Sequence, residues 1–348
     1  MLAISKTEPG IGARLVRVDP PEIGADEVLV KVHRASICGS DMALYNWTSW
    51  APSRIKTPLV FGHEFCGRVE ETGRGVKGLK KGDFVSVESH KFCGECIPCR
   101  GGQRHVCQKL QIIGIDTQGG FAQYARVPAR CAWRHKDSRL VDIGSLMEPL
   151  GNAIYATLCE PVKGRSVVVM GCGPQGLFAI AVAKASGADS VIAVEGSPFR
   201  RKLARKMGAD AVVDPQDNPA SAIRKAAGRR WADGVDAVLE MSGAAPAVEL
   251  GLEIVRNGGR FTAFGIPAGA LNIQWSRDIV FKGIRIYGVA GREIWSTWET
   301  MDAMLRSGKI DVRPVITHVY SLKDFQKGFD TMLAADKRSG KVVFEIGV

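Results

Sequence analysis

An apolar run, Val167 to Met170, leads directly into Gly171-Cys172-Gly173-Pro174-Gln175-Gly176 and then into a second apolar stretch. This passage restricts the fold more than any other part of the chain. A strand, a glycine-rich turn and a helix in immediate succession form the opening of a strand–helix–strand unit, whose parallel strands need helices on both faces. The flanking sequence repeats the pattern. Ser166 to Met170 reads as a buried strand and Pro174 to Ser186 as a helix closed by Gly187. Val191 to Val194 follows as a strand, Phe199 to Met207 as a helix ended by Gly208, and Ala211 to Val213 as a third strand. Val235 to Glu240 and Gly259 to Phe264 continue the series. Strands of continuous Val, Ile and Ala between helices predict a doubly wound, parallel-sheet α/β domain of Rossmann type.

The same glycines carry chemistry. At a strand-to-helix turn they let backbone N–H groups approach a pyrophosphate, and the helix amino end favours anionic charge. Gly171, Gly173, Gln175 and Gly176 are therefore candidate contacts to a dinucleotide. Glu195 stands nineteen residues after Gly176, at the end of the next strand. An acidic side chain there accepts both ribose hydroxyls and repels a 2′-phosphate, which favours NAD over NADP. Arg200 and Arg201 follow, and arginines in that place can hold a 2′-phosphate; Glu195 comes first and lies closer to the strand.

Residues 1 to about 150 have another texture. Glu27 to Val32 alternates apolar and polar, Phe65 to Glu70 does so less cleanly, and Asp83 to Val87 follows a Lys-Gly turn. Short alternating runs broken by Gly and Pro predict a compact β-barrel or sandwich. Past residue 295 the expected order is a helix (Trp298 to Ser307), a strand (Ile316 to Tyr320), a helix (Leu322 to Ala335) and a strand (Lys341 to Ile346) that returns to the first domain. The expected division is residues 1–153 with 296–348 in one domain and 154–295 in the other, and 348 residues suit two domains at ~150 each.

Four of the nine cysteines, Cys93, Cys96, Cys99 and Cys107, fall within fifteen residues on a loop containing Gly and Pro. Met1 to Gly10 lacks a signal-peptide core, and no apolar run approaches the ~20 residues of a membrane span. We therefore expect a soluble, cytoplasmic protein with reduced thiols, where clustered cysteines bind metal. Four sulfurs suit a closed tetrahedral zinc of structural type, and an iron–sulfur cluster also takes four cysteines. A second set consists of Cys38 in Ile37-Cys38-Gly39-Ser40-Asp41, His63 and Glu64 in Phe61-Gly62-His63-Glu64, and Glu148 in Met147-Glu148-Pro149. Singly each is unremarkable. Together they offer a thiolate, an imidazole and carboxylates, the donors of a catalytic zinc with an exchangeable position. Such a zinc is a Lewis acid that lowers an alcohol's pKa. Cys66, Cys131, Cys159 and Cys172 remain as packing or turn residues.

The formal charge of +11 raises the possibility of nucleic-acid binding, but nine Lys or Arg and three Asp between residues 200 and 230 place +6 in one stretch. No aromatic residues interleave there to stack bases, so it reads as a solvated helical face. An apolar share of 45% excludes disorder.

With these motifs in place, the sequence resembles the zinc-dependent medium-chain dehydrogenases, and within them the L-threonine 3-dehydrogenase branch. The resemblance runs from the Cys-Gly-Ser-Asp and Gly-His-Glu motifs through Tyr45-Asn46-Trp47, Val87-Glu88-Ser89-His90 and Glu148-Pro149-Leu150-Gly151-Asn152. It continues through Gly291-Arg292-Glu293 with Trp295 and Trp298, and ends with Ile316-Thr317-His318. It implies a discontinuous β-rich, GroES-like catalytic domain beside an NAD-binding Rossmann domain, two Zn²⁺ per chain, and a homotetramer. It implies catalytic zinc ligands Cys38, His63 and Glu64, with Glu148 ligating or tuning the metal. Ser40 would pass the substrate's proton outward and His90 would lie near the substrate. Gln175, Glu195, Arg200, the segment Phe264-Gly265-Ile266 and the pair Val289-Ala290 would contact NAD, with Arg292 near the nicotinamide. Arg292 and Glu148 are also candidates for the carboxylate and ammonium of a zwitterionic substrate. The implied reaction oxidises L-threonine at its β-carbon to 2-amino-3-oxobutanoate. The alternatives are a polyol or amino-sugar dehydrogenase on the same scaffold and a non-enzymatic nucleotide sensor. One departure stands out. The family's relay continues to a histidine three residues after position 40, where this chain has Ala43, so the proton needs a route through the nicotinamide ribose and water or through His90.

Overall fold

The computed structural model describes residues 1–228 and 231–347. Arg229 and Arg230, the last two cations of the basic stretch, lie outside the described residues. The chain forms two compact units, one of Met1–Pro149, Ile316–Ala335 and the residues from Lys341 onward, the other of Leu150–Val315 and Asp336–Gly340.

In the first unit a seven-stranded sheet is ordered Ala132–Arg134, Phe84–Val87, Glu64–Thr72, Glu27–Ser36, Lys341–Glu345 and Ile316–Ser321, with Tyr124–Pro128 also paired to Glu27–Ser36. Glu27–Ser36 is the spine, bonded to three other strands. Its alternation fixes the inner face: Val28, Val30 and Val32 are buried while Lys31 is exposed. Two register shifts against Glu64–Thr72, at Leu29/Val30 and Val32/Arg34, bend the pair as bulges do. The expected return of the chain end is observed, because Lys341–Glu345 pairs antiparallel to Ser36, Ala35 and Arg34. Phe344 from this strand meets Phe121 edge to face at 5.3 Å, and Phe121 meets Phe61 likewise at 5.2 Å. The last residues of the chain thus complete the core of the first unit.

The second unit is a six-stranded parallel sheet, ordered Ala211–Val213, Ser190–Val194, Ser166–Met170, Val235–Glu240, Val255–Ala263 and Arg285–Gly288. In chain order this is 3-2-1-4-5-6, the Rossmann sequence. The order reverses between Ser166–Met170 and Val235–Glu240, and ligands of such sheets bind beyond the carboxyl ends at that reversal. The helix Pro174–Ala185 is buried at every position from Gly176 to Ala183, which explains why its sequence shows no polar stripe.

Three expectations are adjusted. Residues 296–315, expected with the first domain, group with the second. The turn Arg313–Val315 packs on helices Pro174–Ala185 and Pro198–Lys206, which holds the segment there. Asp336–Gly340 joins the same unit because Lys337 and Ser339 carbonyls accept from Ser197 and Arg200. The helix expected over 322–335 is a 3-10 turn, Leu322–Asp324, followed by Phe325–Leu333, with Ser321 Oγ accepting from Asp324 N at the start of the turn. Among the described residues no helix is long and apolar enough to cross a membrane.

Candidate active site and metal centres

The Cys38 centre is assembled from two turns of the first unit. Cys38 follows the spine strand and caps the helix Gly39–Tyr45, and Asp41 reaches back to accept the Cys38 N–H at 2.9 Å. His63 and Glu64 follow Gly62, whose φ of +89° needs glycine and whose Cβ would meet the Phe121 ring at 2.5 Å. One donor atom each from Cys38, His63 and Glu64 lies within 4.8 Å of the others. His63 Nδ1 stands 3.4 Å from Asp41 Oδ1, and its Nε2 stands 3.5 Å from Ser40 Oγ. Burial disfavours the imidazolium, yet the Asp41 carboxylate and the Cys38 sulfur outweigh it and lift His63 well above its ordinary pKa. The surroundings of His63 therefore favour positive charge. A sulfur, a ring nitrogen backed by a carboxylate, and a carboxylate oxygen suit zinc in both donor type and support.

Glu64 has a partner that sequence reading missed. Lys341 Nζ donates to Glu64 Oε1 at 2.6 Å, to Oε2, and to the Ile37 carbonyl at 3.1 Å. Ser36 Oγ donates to Oε2 as well. Burial pushes the Glu64 carboxyl up despite Lys341, while Lys341, opposed by its own burial, is held above its usual value by Glu64. The lone cation in an apolar closing strand, Lys341-Val342-Val343-Phe344, was the available signal. Glu148 falls outside the converging three; Ser89 Oγ donates to its Oε1 at 2.8 Å. His90 is buried on the short strand His90–Lys91, its N–H bonded to Glu88 Oε1 at 2.9 Å. Ala43 lies on the helix Gly39–Tyr45.

The second candidate metal centre is the loop of Cys93, Cys96, Cys99 and Cys107, whose four sulfurs lie within 4.8 Å of one another. Individual separations are 3.5 Å (Cys93–Cys107), 3.8 Å (Cys96–Cys107) and 4.0 Å (Cys93–Cys99). A tetrahedral zinc with bonds of about 2.3 Å needs edges of about 3.8 Å, so the four sulfurs fit it. Backbone N–H groups of Cys93 and Lys109 point at Cys107 Sγ, both at 3.3 Å. No disulfide occurs among the described residues, and Cys66, Cys131 and Cys172 are buried in packing positions.

In the second unit each glycine of the turn has a separate physical duty. Gly171 has φ +86°, and its Cβ would meet Ser242 at 2.7 Å. A Cβ on Gly176 would sit 1.9 Å from the Gly171 carbonyl. Gly173 caps the helix, and a Cβ there would meet nothing within 4 Å, leaving open space at the helix amino end. Gln175 Oε1 is buried with no hydrogen-bond partner among the described residues. Glu195 binds the turn to the next helix: Oε2 accepts from Cys172 N at 2.7 Å and Oε1 from Ser197 N at 2.8 Å. Arg200 Nε donates to the Ser339 carbonyl at 2.9 Å. Phe264 and Gly265 N–H groups donate to the Glu240 carbonyl, Ile266 is exposed, and Val289 N donates to Ala263 O while Ala290 faces solvent. Arg292 is wholly buried and donates to Asn152 Oδ1 at 2.8 Å. Its stem lies where a Cβ on Gly151 would be, 2.5 Å away, which accounts for the glycine before Asn152.

Comparison with known proteins agrees with both units. Residues 24–137 match the alcohol dehydrogenase GroES-like domain and residues 174–307 match the zinc-binding dehydrogenase family. The chain is 48% identical to an L-threonine 3-dehydrogenase of Pyrococcus horikoshii, covering 99% of this chain and 98% of that protein. It is 44% identical to the L-threonine 3-dehydrogenase of Bacillus subtilis, covering 99% and 98%. A zinc-binding dehydrogenase from Sinorhizobium meliloti 1021, solved bound to NADP, superposes with a TM-score of 0.90 at 29% identity, covering 99% and 98%. The chain belongs to the zinc-dependent medium-chain dehydrogenase superfamily.

Proposed function

We propose that the chain oxidises the secondary alcohol of L-threonine to 2-amino-3-oxobutanoate with zinc and NAD. The observation that carries this reading is full-length identity of 48% to an L-threonine 3-dehydrogenase, joined to converging Cys38, His63 and Glu64 donors. When bound, zinc supplies Lewis acidity toward an alcohol oxygen and the nicotinamide supplies a hydride acceptor. Cys38 and His63 hold the metal, and Asp41 fixes the His63 ring from Nδ1 so that Nε2 faces the site. Glu64 is the third donor, its remaining charge balanced by Lys341. Glu148 stands beside this set with its carboxylate oriented by Ser89. Ser40, beside His63 Nε2, accepts the substrate's proton. With Ala43 in the relay position, that proton continues through ribose hydroxyl and water or through His90. Glu148 is the charged group offered to the substrate's ammonium; Arg292, wholly buried and bonded to Asn152 Oδ1, is not offered to its carboxylate. The turn Gly171–Gly176 receives the pyrophosphate, and Glu195 receives the adenosine ribose and selects NAD. Gln175, Arg200, Phe264–Ile266, Val289 and Ala290 complete the cofactor contacts. The four-cysteine loop holds a second, structural zinc, giving two per chain, and the family resemblance implies a cytoplasmic homotetramer.

Turnover of L-threonine against a panel of polyols and amino sugars, each with NAD, tests the reading. Threonine is expected to give the highest kcat/KM. No threonine activity at saturating concentration overturns it, and turnover of a polyol in its place establishes the alternative.

A further inference from the structure

The strands Ser190–Val194 and Ala211–Val213 lie side by side, Val194 opposite Val213. The next residue of the first is Glu195, and the next of the second is Asp214. Two carboxylates therefore stand at adjacent strand ends, and Glu195 N donates to the Val213 carbonyl at 3.1 Å. Glu195 has the role proposed above, on the ribose. Asp214 has none yet.

Asp214 is occupied by an arginine. Arg201, in the first turns of the helix Pro198–Lys206, forms an ion pair with Asp214 Oδ2 through Nη1. The same Nη1 donates to the Glu195 and Gly196 carbonyls, each at 3.2 Å. Asp214 is itself fixed, its Oδ1 accepting from Gln216 N at 3.1 Å. That backbone bond and Arg201 hold its carboxyl below the usual range. The neighbouring Arg200 is held separately, on the Ser339 carbonyl.

A planar guanidinium close to the adenosine ribose is the group best suited to a 2′-phosphate, because it offers paired donors to a dianion. Arg201 touches the backbone of the residue proposed to bind that ribose, and a side chain of its length can reach past it. We propose that Asp214 is a cofactor-specificity residue: it clamps Arg201 to the carbonyls of residues 195 and 196 and so withholds the guanidinium from a 2′-phosphate. Discrimination against NADP then has two parts. Glu195 repels the phosphate, and Asp214 denies it a cation. The pair is only about one-fifth exposed on each side, 20% for Arg201 and 23% for Asp214, so solvent does not screen it fully.

This inference rests on the NAD reading and is tested separately from it. The Kd values of NAD+ and NADP+ are measured by calorimetry on zinc-loaded wild type, Asp214→Ala, Asp214→Asn, and the double variant Asp214→Ala with Arg201→Ala. The asparagine variant keeps an acceptor for Gln216 N while removing the charge, which separates loss of the clamp from loss of the turn. The wild type is expected to favour NAD+. Both single variants are expected to lower the ratio Kd(NADP+)/Kd(NAD+) about five-fold or more, because the released guanidinium forms charge-assisted hydrogen bonds with the 2′-phosphate. The double variant is expected to return the ratio to within two-fold of wild type. A wild type that favours NAD+ but shows the same ratio in both single variants overturns the clamp alone, as does a fall in the ratio that survives loss of Arg201. A wild type that binds NADP+ as tightly as NAD+ overturns the NAD reading and the clamp with it.

Discussion

Lys341 and Glu64 meet in the interior of the first unit from positions 277 residues apart. Their side chains are 3% and 0% exposed, so neither charge is relieved by water. Removing one partner of a buried pair leaves the other uncompensated, at a cost of about 3–5 kcal/mol. Lys341→Met is accordingly expected to lose about that much in denaturant unfolding, and Lys341→Met with Glu64→Gln to recover most of it. A single variant within about 1 kcal/mol of wild type contradicts the buried pair. In the second unit, Glu195→Ala is expected to weaken NAD+ more than NADP+; an unchanged ratio of the two Kd values counts against its ribose role. These two residues also show what one sequence reveals. Glu195 was legible as a candidate because that reading depends only on a short distance from a glycine turn, and its ribose role remains a proposal. Lys341 was not, because its meaning depends on a contact that only the folded sheet creates. Asp41 and Ser89 were hidden for the same reason: each acts through a neighbour that sequence spacing does not identify.

The elements differ in how they are stabilised, and the differences can be measured. The loop carrying Cys93, Cys96, Cys99 and Cys107 has the 3-10 turn Arg104–Val106 and the four-residue helix Ile97–Arg100 as its regular structure. The structural zinc proposed for this loop would contribute directly to folding free energy. Cys96→Ser is expected to lose about one zinc per chain and to unfold at lower temperature, read by elemental analysis and calorimetry. Equal zinc content and Tm would remove the loop as a metal site. Across the second unit, Glu160 follows the helix Met147–Leu158 and ties it to the edge strand Arg285–Gly288. Its carboxylate accepts from Arg285 at 2.6 Å and from Tyr287 at 2.7 Å. The Arg285 hydrogen bond, foremost, and that of Tyr287 lower the carboxyl from 4.5 to about 2. A depressed carboxyl stabilises the folded state above its unfolded pKa, and that contribution is lost as pH falls from about 4.5 toward about 2. Wild type is therefore expected to lose more stability across that window than Glu160→Gln, and parallel acid profiles would contradict the tie. The apolar strands here were easy to read, since burial on both faces leaves an unbroken run of Val, Ile and Ala. The change from 3-10 turn to α-helix after Asp324 was not, because the apolar pattern runs through it without a break.

At the scale of the whole molecule, the fold class and the return of the final strand were legible, because each follows from periodicity and order along the chain. The allocation of residues 296–315 was not, because it depends on the packing of Arg313–Val315 against two helices encountered much earlier. The donors Cys38, His63 and Glu64 were legible as a set even though 26 residues separate the first from the last, since few chemistries need a thiol, an imidazole and a carboxylate together. The proposed homotetramer is expected to give four chains of 37.5 kDa per particle in light scattering, and a monomeric mass contradicts it. The proposed activity is oxidation of L-threonine with NAD at a zinc held by Cys38. Its most direct test is the initial rate of NADH formation from L-threonine, measured side by side for wild type and a folded Cys38→Ser variant with zinc content determined for both. Wild type is expected to turn over L-threonine, and the variant to lose about one zinc per chain and at least a thousand-fold in rate. A wild type inactive on saturating L-threonine, or a variant that matches it in rate, contradicts zinc-assisted threonine oxidation at Cys38.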